Sequence, residues 1–194
     1  ESQGYIHYRK GSVIMFALQD YIGEEKVNLA LKNFLTDWQY PGPDSKNKRY
    51  PTSNDLLKYF KAQTPDSLKN IITDMFETIT LFENKVEKVE YKPLKDKTFE
   101  VKITTTNEKF RADSSGNETP IAISDWIDVG VYAKDKKGED KLLYLKKHKV
   151  TKKNNTFTII VKEEPTKAGI DPINKLIDRH AEDNTKAAEK SEGV

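Results

Sequence analysis

The side chains whose types could do chemistry lie near the start of the chain. Tyr5, His7 and Tyr8 lie close together and are followed at once by Arg9-Lys10-Gly11. A phenol has an unperturbed pKa of roughly 10, so it keeps its proton at neutral pH. It can therefore donate a hydrogen bond to an oxygen on which negative charge develops during a reaction. By residue type alone, however, Tyr8 is more simply a tyrosine that packs at the start of a helix.

Metal ligands are the next residues to consider. A catalytic zinc site needs about three protein ligands that converge on one ion. The chain contains His7, His148 and His180, of which none belongs to a His-Glu-x-x-His pair, and it contains no cysteine. We therefore expect this chain to bind no metal and its histidines to be ordinary ones. His7 is the exception that we keep as a candidate cleft residue, as is Tyr5, because both neighbour Tyr8.

Other patterns argue against further classes of function. Phosphate-binding glycine loops and Gly-x-Ser-x-Gly elbows are absent from the sequence. The 33 basic and 31 acidic residues are interleaved, which argues against a nucleic-acid binder. Asp125 and Asp128 fall on a strand pattern, where acids are predicted at the surface, and the lysines from Lys146 to Lys153 predict a solvated edge strand. No run of about 20 apolar residues predicts a membrane span. We interpret the chain as part of a longer protein.

Helical periodicity dominates residues 1–79. Apolar residues recur at helical spacing from Ile14 to Ile22, and Gly23 is expected to end that helix before Glu24 begins another. Thr52 with Asp55 predicts a capped third helix. Thr64-Pro65-Asp66 predicts the cap and first turn of a fourth. Residues 1–79 are therefore predicted to form a four-helix unit.

Strand periodicity takes over from Thr80. Apolar residues alternate with polar ones around Val101, Val129 and Ile159, and turn residues separate the segments. Residues 80–179 are therefore predicted to form an antiparallel β-sandwich, against which residues 173–177 dock. Residues 180–194 are predicted to be a polar, flexible tail or an isolated helix. The predicted fold class is α+β, a four-helix unit followed by an antiparallel β-sandwich.

The motif at the start of the chain also carries a resemblance. Tyr8-Arg9-Lys10-Gly11, an apolar helix, Ile22-Gly23-Glu24-Glu25 and a second helix resemble the zinc aminopeptidases of the aminopeptidase N family. Further segments resemble the C-terminal part of bacterial aminopeptidase-like proteins, some of which are fused to ABC transporter permease segments. These segments are Gly4–Gly11, Pro51–Ser53, Gln63–Leu68 and Ala168–Pro172.

The resemblance implies a parent protein with a thermolysin-like catalytic domain, of which residues 1–79 would be the last part. It implies that Tyr8 donates a hydrogen bond to the tetrahedral intermediate of peptide hydrolysis. The zinc would be held by the missing catalytic domain with its zinc helix, which would be the partner of this chain, and the substrate would be a peptide. The fragment alone would be inactive. The resemblance places the protein at the extracytoplasmic face of a bacterial membrane.

Two alternatives stay open. The chain could be a non-catalytic module that binds a protein or a ligand in a transporter-associated membrane protein. It could also be a self-contained helical and sandwich domain, in which case the apolar face of the first helix should be covered within the chain. Exposure of Val13, Ile14 or Phe16 would instead indicate a missing partner domain, or a dimer of the fragment through that face.

Overall fold

The computed structural model describes residues 10–39 and 49–191. The chain divides into two compact units, Glu1–Ile79 and Thr80–Val194. Helices make up the first unit and strands in two sheets the second, so the predicted α+β class is confirmed. In the described ranges no helix is both long enough and apolar enough to span a membrane.

A helical hairpin begins the first unit. Helix α1 spans Gly11–Ile22 and helix α2 spans Glu24–Asp37. Gly23 separates them at φ 93° and ψ 147°, and its amide donates to Gln19 O at 2.8 Å. Only glycine adopts this backbone region readily, because a Cβ would clash with the adjacent carbonyl. The predicted end of the first helix is confirmed, and its conformation explains why glycine is there.

The third helix, α3, spans Ser53–Gln63 and carries the predicted capping box. The amide and the hydroxyl of Thr52 both donate to Asp55 Oδ2, each at 2.9 Å. Arg49 donates to both oxygens of the same carboxylate, at 2.7 and 2.9 Å. The Arg49 guanidinium, helped by the Thr52 amide, holds the pKa of Asp55 far below its usual range.

The fourth helix differs from the prediction. A 3₁₀ turn at Asp66–Leu68 leads into a short α4 at Lys69–Ile72, which continues as a π-helical turn at Thr73–Glu77. Thr64 is not its N-cap. The buried Thr64 hydroxyl donates back to Phe60 O at 2.7 Å and so ends α3 instead. A hydroxyl within reach of a carbonyl one turn earlier satisfies itself there.

The helical unit has an apolar core and an exposed aromatic side chain. Its core residues are Leu18, Ile22, Val27, Ala30, Leu57, Phe60 and Ile72. On α1, Val13 and Ile14 are half-buried and Phe16 is 53% exposed. Among the described residues, part of the apolar face of α1 is therefore left uncovered.

Nine strands follow the helices in the described part of the chain. They are β1 (Ile79–Pro93), β2 (Phe99–Ala112), β3 (Glu118–Ile121), β4 (Asp125–Lys134), β5 (Asp140–Val150), β6 (Asn154–Val161), β7 (Lys167–Ile170), β8 (Thr185–Ala187) and β9 (Glu189–Lys190). One sheet has the order β3-β2-β1-β9, with β6 also paired to β2, and the other has the order β5-β4-β7-β8. The described pairs are antiparallel except β1 with β9, which is parallel.

Alternate residues of both sheets share one apolar core, which confirms the sandwich. The core takes Val86 and Val89 from β1, Val101 and Ile103 from β2, Ile127, Val129 and Val131 from β4, and Ile159 and Val161 from β6. Leu176 packs against it, as the predicted docking of residues 173–177 requires. Strand β5 ends the order of its sheet, in agreement with the predicted edge strand.

The prediction that residues 180–194 form a flexible tail or an isolated helix is wrong for their described part. That part, up to Ser191, adds β8 to β7 in one sheet and β9 to β1 in the other. Lys186 Nζ also donates to Glu87 O at 3.0 Å. The polar composition of this segment hid its structure, because edge pairing satisfies backbone groups and does not require apolar side chains. We call residues 177–191 the C-terminal strap.

Candidate functional site: two buried lysine–aspartate pairs

The residues that the sequence singled out as a site, Tyr5, His7 and Tyr8, lie outside the described residues. Lys10, two positions after Tyr8, immediately precedes α1 and already has helical backbone angles. The roles of Tyr5, His7 and Tyr8 therefore remain predictions.

The remaining two histidines lie in the second unit. His148 is half-buried in β5, where its Nε2 lies 2.8 Å from the Tyr144 hydroxyl and its ring packs edge-on against Phe157 at 5.2 Å. Burial lowers the pKa of His148. His180 is exposed, with Nδ1 3.8 Å from Glu83. In the part of the chain that the structure describes, no three His, Cys, Asp or Glu side chains converge as a metal site would require.

Polar side chains instead fill one end of the sandwich. Along the inward face of β2, buried Val101 and Ile103 give way to buried Thr105, Asn107 and Lys109. Asn107 Oδ1 accepts from the Thr105 hydroxyl at 2.7 Å and from Asn155 Nδ2 at 2.9 Å. Asn107 Nδ2 donates to Asn84 Oδ1 at 2.8 Å. Amide side chains thus replace apolar contacts between β1, β2 and β6 at this end.

The first lysine–aspartate pair, which we call the inner pair, adjoins this network. Lys109 Nζ donates to both oxygens of Asp125, at 2.9 and 3.0 Å, and the two side chains are only 5% and 8% exposed. Lys109 Nζ also lies 5.2 Å from the centre of the Phe82 ring. The Ser124 amide adds a third hydrogen bond to Asp125 at 3.1 Å. This geometry satisfies both charges as an ion pair.

We call the second pair, which Asp128 forms with Lys175, the outer pair. Asp128 lies three residues after Asp125 on β4 and on the opposite face of the strand. Lys175 Nζ contacts Asp128 Oδ2, and the side chains are 2% and 5% exposed. Lys147 on β5 approaches the other oxygen of Asp128 at 3.5 Å. The prediction that Asp125 and Asp128 lie at the surface is therefore wrong for both residues.

A loop after β7 buries the outer pair. Residues 171–176 cross the outer face of β4, where a methyl group on Gly130 would come within 2.7 Å of Pro172 Cγ and 3.2 Å of the Tyr132 ring. Glycine at position 130 is therefore what lets the loop approach the strand. Asp128 is buried because residues 171–176 cover a face of β4 that would otherwise be exposed to solvent.

Asp171 connects this loop to the strand. Its amide donates to Asp128 O at 2.7 Å, and its carboxylate accepts the amides of Lys175 at 3.0 Å and Leu176 at 2.9 Å. Burial raises the pKa of Asp171 to about 7, against the lowering effect of those two amides and of the Lys175 charge. Asp171 has φ 42°, a left-handed conformation that aspartate tolerates better than most residues. Asp171 thus binds the backbone of both halves of the outer pair, through its amide to Asp128 and through its carboxyl to Lys175.

Two comparisons with known proteins found no match. No protein-family model matches the chain. No curated protein matches it significantly.

One of the two pairs had a signal in the sequence. Lys109 shares the alternation of Val101 and Ile103, and Asp125 shares that of Ile127, so the period of two places both side chains inward. Asp128 has the opposite alternation, and only the path of residues 171–176 buries it. Nothing in the local pattern could have predicted the outer pair.

Proposed function

We propose that this chain is a non-catalytic C-terminal part of a zinc-dependent aminopeptidase-type protein at the extracytoplasmic face of a bacterial membrane. In this proposal the helical unit closes one wall of the peptide cleft with Tyr8, beside Tyr5 and His7. The sandwich is the structural unit that follows. The chain alone hydrolyses nothing.

The observation that carries the proposal is the helical hairpin that directly follows the Tyr-x-Lys-Gly element. Helix α1 begins at Gly11, the last residue of that element, and Gly23 turns the chain into α2. This arrangement agrees with the motif-based resemblance. Phe16, 53% exposed on α1, supports a partner surface in the rest of the protein.

The zinc that the resemblance implies does not fit the described residues. They contain no group of three His, Cys, Asp or Glu side chains able to hold it. In this proposal the preceding segment of the parent holds the metal, and we derive no metal-dependent step from this chain. What the chain would contribute is a phenol that donates a hydrogen bond.

The test uses the parent protein with its preceding segment intact. We expect Tyr8→Phe to lower kcat for an aminoacyl-peptide by about 10²–10³-fold with KM almost unchanged, because the lost donor acts in the transition state. Tyr50→Phe is the matched control, since Tyr50 is 72% exposed in the same unit and should leave kcat unchanged.

Three outcomes would contradict the proposal or a part of it. Equal kcat for Tyr8→Phe and wild type would remove the role of Tyr8. A parent with no peptidase activity would favour the alternative, a non-catalytic binding module. Stoichiometric, tight zinc binding by this chain alone would contradict the expectation that it holds no metal.

A further inference from the structure

The outer pair joins two segments of the sandwich that are far apart in sequence. Asp128 belongs to β4 and Lys175 to the loop after β7, and Nζ of the lysine contacts Oδ2 of the carboxylate. Both side chains are almost fully buried. On the same face of β4, Pro172 lies so close to Gly130 that a methyl group at position 130 would come within 2.7 Å of Pro172 Cγ.

Burial changes the chemistry available to such a pair. Charged groups removed from water lose most of their solvation, so the neutral acid and the neutral amine gain stability relative to the ion pair. A neutral lysine is a nucleophile, and a carboxylic acid is an electrophile that a carboxylate is not. When the two are held in contact, the effective concentration of the amine is very high.

We propose that Lys175 and Asp128 condense within the folded chain to form an amide bond between Lys175 Nζ and Asp128 Cγ. This cross-link is a covalent modification that the fold itself brings about. It is independent of the proposed peptidase relationship. The chain contains no cysteine, so a disulfide could not supply such a link.

The reaction balances without an oxidant or an added reagent. The Lys175 amine attacks Asp128 Cγ, a C–N bond forms, and the amine gives up a proton. The bond from Cγ to Oδ2 then breaks, and that oxygen leaves as water with two protons. Oδ1 remains as the amide oxygen on the side of Lys147, whose Nζ lies 3.5 Å away in the structure.

Asp171 is the positioning residue for this reaction. It binds the backbone of both partners, since its amide donates to Asp128 O and its carboxyl accepts the Lys175 amide. Its carboxyl also accepts the Leu176 amide, so the turn that presents Lys175 to Asp128 is held at two points, and burial raises the pKa of this carboxyl to about 7. The charged groups that act on it are Asp128 from β4 and Lys175 from its own loop.

The inner pair lacks this arrangement and provides the internal control. Lys109 Nζ lies at 2.9 and 3.0 Å from the two oxygens of Asp125, so it is shared between them as an ammonium ion is. The Ser124 amide also donates to Asp125, so hydrogen bonds hold both oxygens of this carboxylate. Attack on Asp125 Cγ would have to break them, so we expect this pair to stay ionic.

Intact mass spectrometry of the purified, denatured chain tests the proposal. We expect wild type to be lighter than its sequence by one water molecule. Trypsin should release residues 112–134 joined to residues 168–179, uncleaved at Lys175. Lys175→Arg should show the full sequence mass, whereas the matched control Lys109→Arg should keep the loss.

Other results would overturn the proposal. A wild-type mass equal to that of the sequence would do so directly. Cyclisation of Glu1 also removes one water, so a loss confined to the N-terminal peptide, with cleavage at Lys175, would equally overturn it. Neither result depends on a variant that must fold.

A kinetic comparison tests Asp171. In cell-free synthesis followed over time, we expect Asp171→Asn to slow water loss by about 100-fold, because an Asn side chain keeps only one acceptor oxygen for the amides of Lys175 and Leu176 and so positions the pair less well. Asp171→Glu should restore part of the rate. Equal rates for wild type and Asp171→Asn, with folding confirmed by circular dichroism, would overturn the role of Asp171.

Discussion

The inner and outer pairs each consist of a lysine and an aspartate, but they are buried in different ways. Their aspartates, Asp125 and Asp128, lie three positions apart on β4. Lys109 and Asp125 face the sandwich interior by the alternation of their strands. Asp128 lies on the outer face of β4, and residues 171–176, which include Lys175, cover it there. Burial by strand alternation requires both strands to stay in register, whereas burial by a loop requires only that the loop stay in place.

This difference determines what each pair contributes. The strands bury Lys109 and Asp125 whether or not the two side chains pair. The main contribution of the inner pair is therefore that neither charge is buried without a partner. The outer pair holds the covering loop to the strand. Its contribution should therefore depend on the connection between two segments and less on charge.

The largest expected effect follows from breaking the inner pair on one side only. Asp125→Ala leaves the Lys109 ammonium buried without its carboxylate, and we expect a loss of about 3–5 kcal/mol in the free energy of unfolding. The double variant Asp125→Leu with Lys109→Met should recover most of that loss, because apolar groups of similar volume remove both charges. Urea denaturation measures both, and a double variant as unstable as the single one would contradict an ordinary ion pair.

The corresponding double variant of the outer pair should behave differently. Asp128→Leu with Lys175→Met removes both charges and also the connection between β4 and the loop. A cross-link that closes a loop of tens of residues stabilises by about 3–4 kcal/mol in the chain-entropy model. We therefore expect a loss of about 3 kcal/mol that the removal of charge does not recover, measured by the same urea denaturation. Full recovery would make the two pairs equivalent.

The smallest expected effect, when it is expressed per pH unit, is a dependence of stability on pH. The pKa of Asp171 is raised from 3.8 to about 7 in the folded chain, so the folded state binds more protons than the unfolded state between these values. The stability that this group contributes is fully present below pH 3.8 and is lost as pH rises through 7. The slope is at most about 1.4 kcal/mol per pH unit.

Asp171→Asn removes the titrating group and tests this dependence. The decline in the free energy of unfolding between about pH 4 and pH 7 should be weaker in the variant than in wild type, as measured by urea denaturation at a series of pH values. Parallel profiles would show that Asp171 does not titrate in this range.

The sequence predicted the helices and strands better than it predicted which side chains contact one another. Strict alternation located β2, β4 and β6, and Thr52 with Asp55 located the start of α3, because these signals are local. Thr64 was misread because its hydroxyl had two possible partners, the turn ahead and the carbonyl of Phe60 behind. Sequence spacing does not decide between them.

The candidate site was less predictable for a physical reason. The alternation of Lys109 and Asp125 along their strands predicts that both side chains face the interior. The prediction for Asp125 instead followed the general rule that acids in sheets lie at the surface. Asp128, Lys175 and Asp171 come together only through the path of the loop after β7. That path depends on contacts such as Pro172 on Gly130, and no local pattern encodes them.

The C-terminal strap has a consequence for how the sandwich is made. Strand β1 pairs with β9 at Glu90 and Glu189, and β7 pairs with β8, so both sheets gain a neighbour only from residues 185–190. During synthesis the edge of β1 must wait for the ribosome to release almost 100 further residues, whereas the edge of β7 waits for only about 15. Until then the exposed edges can pair with other nascent chains, and a chaperone would protect them at that stage.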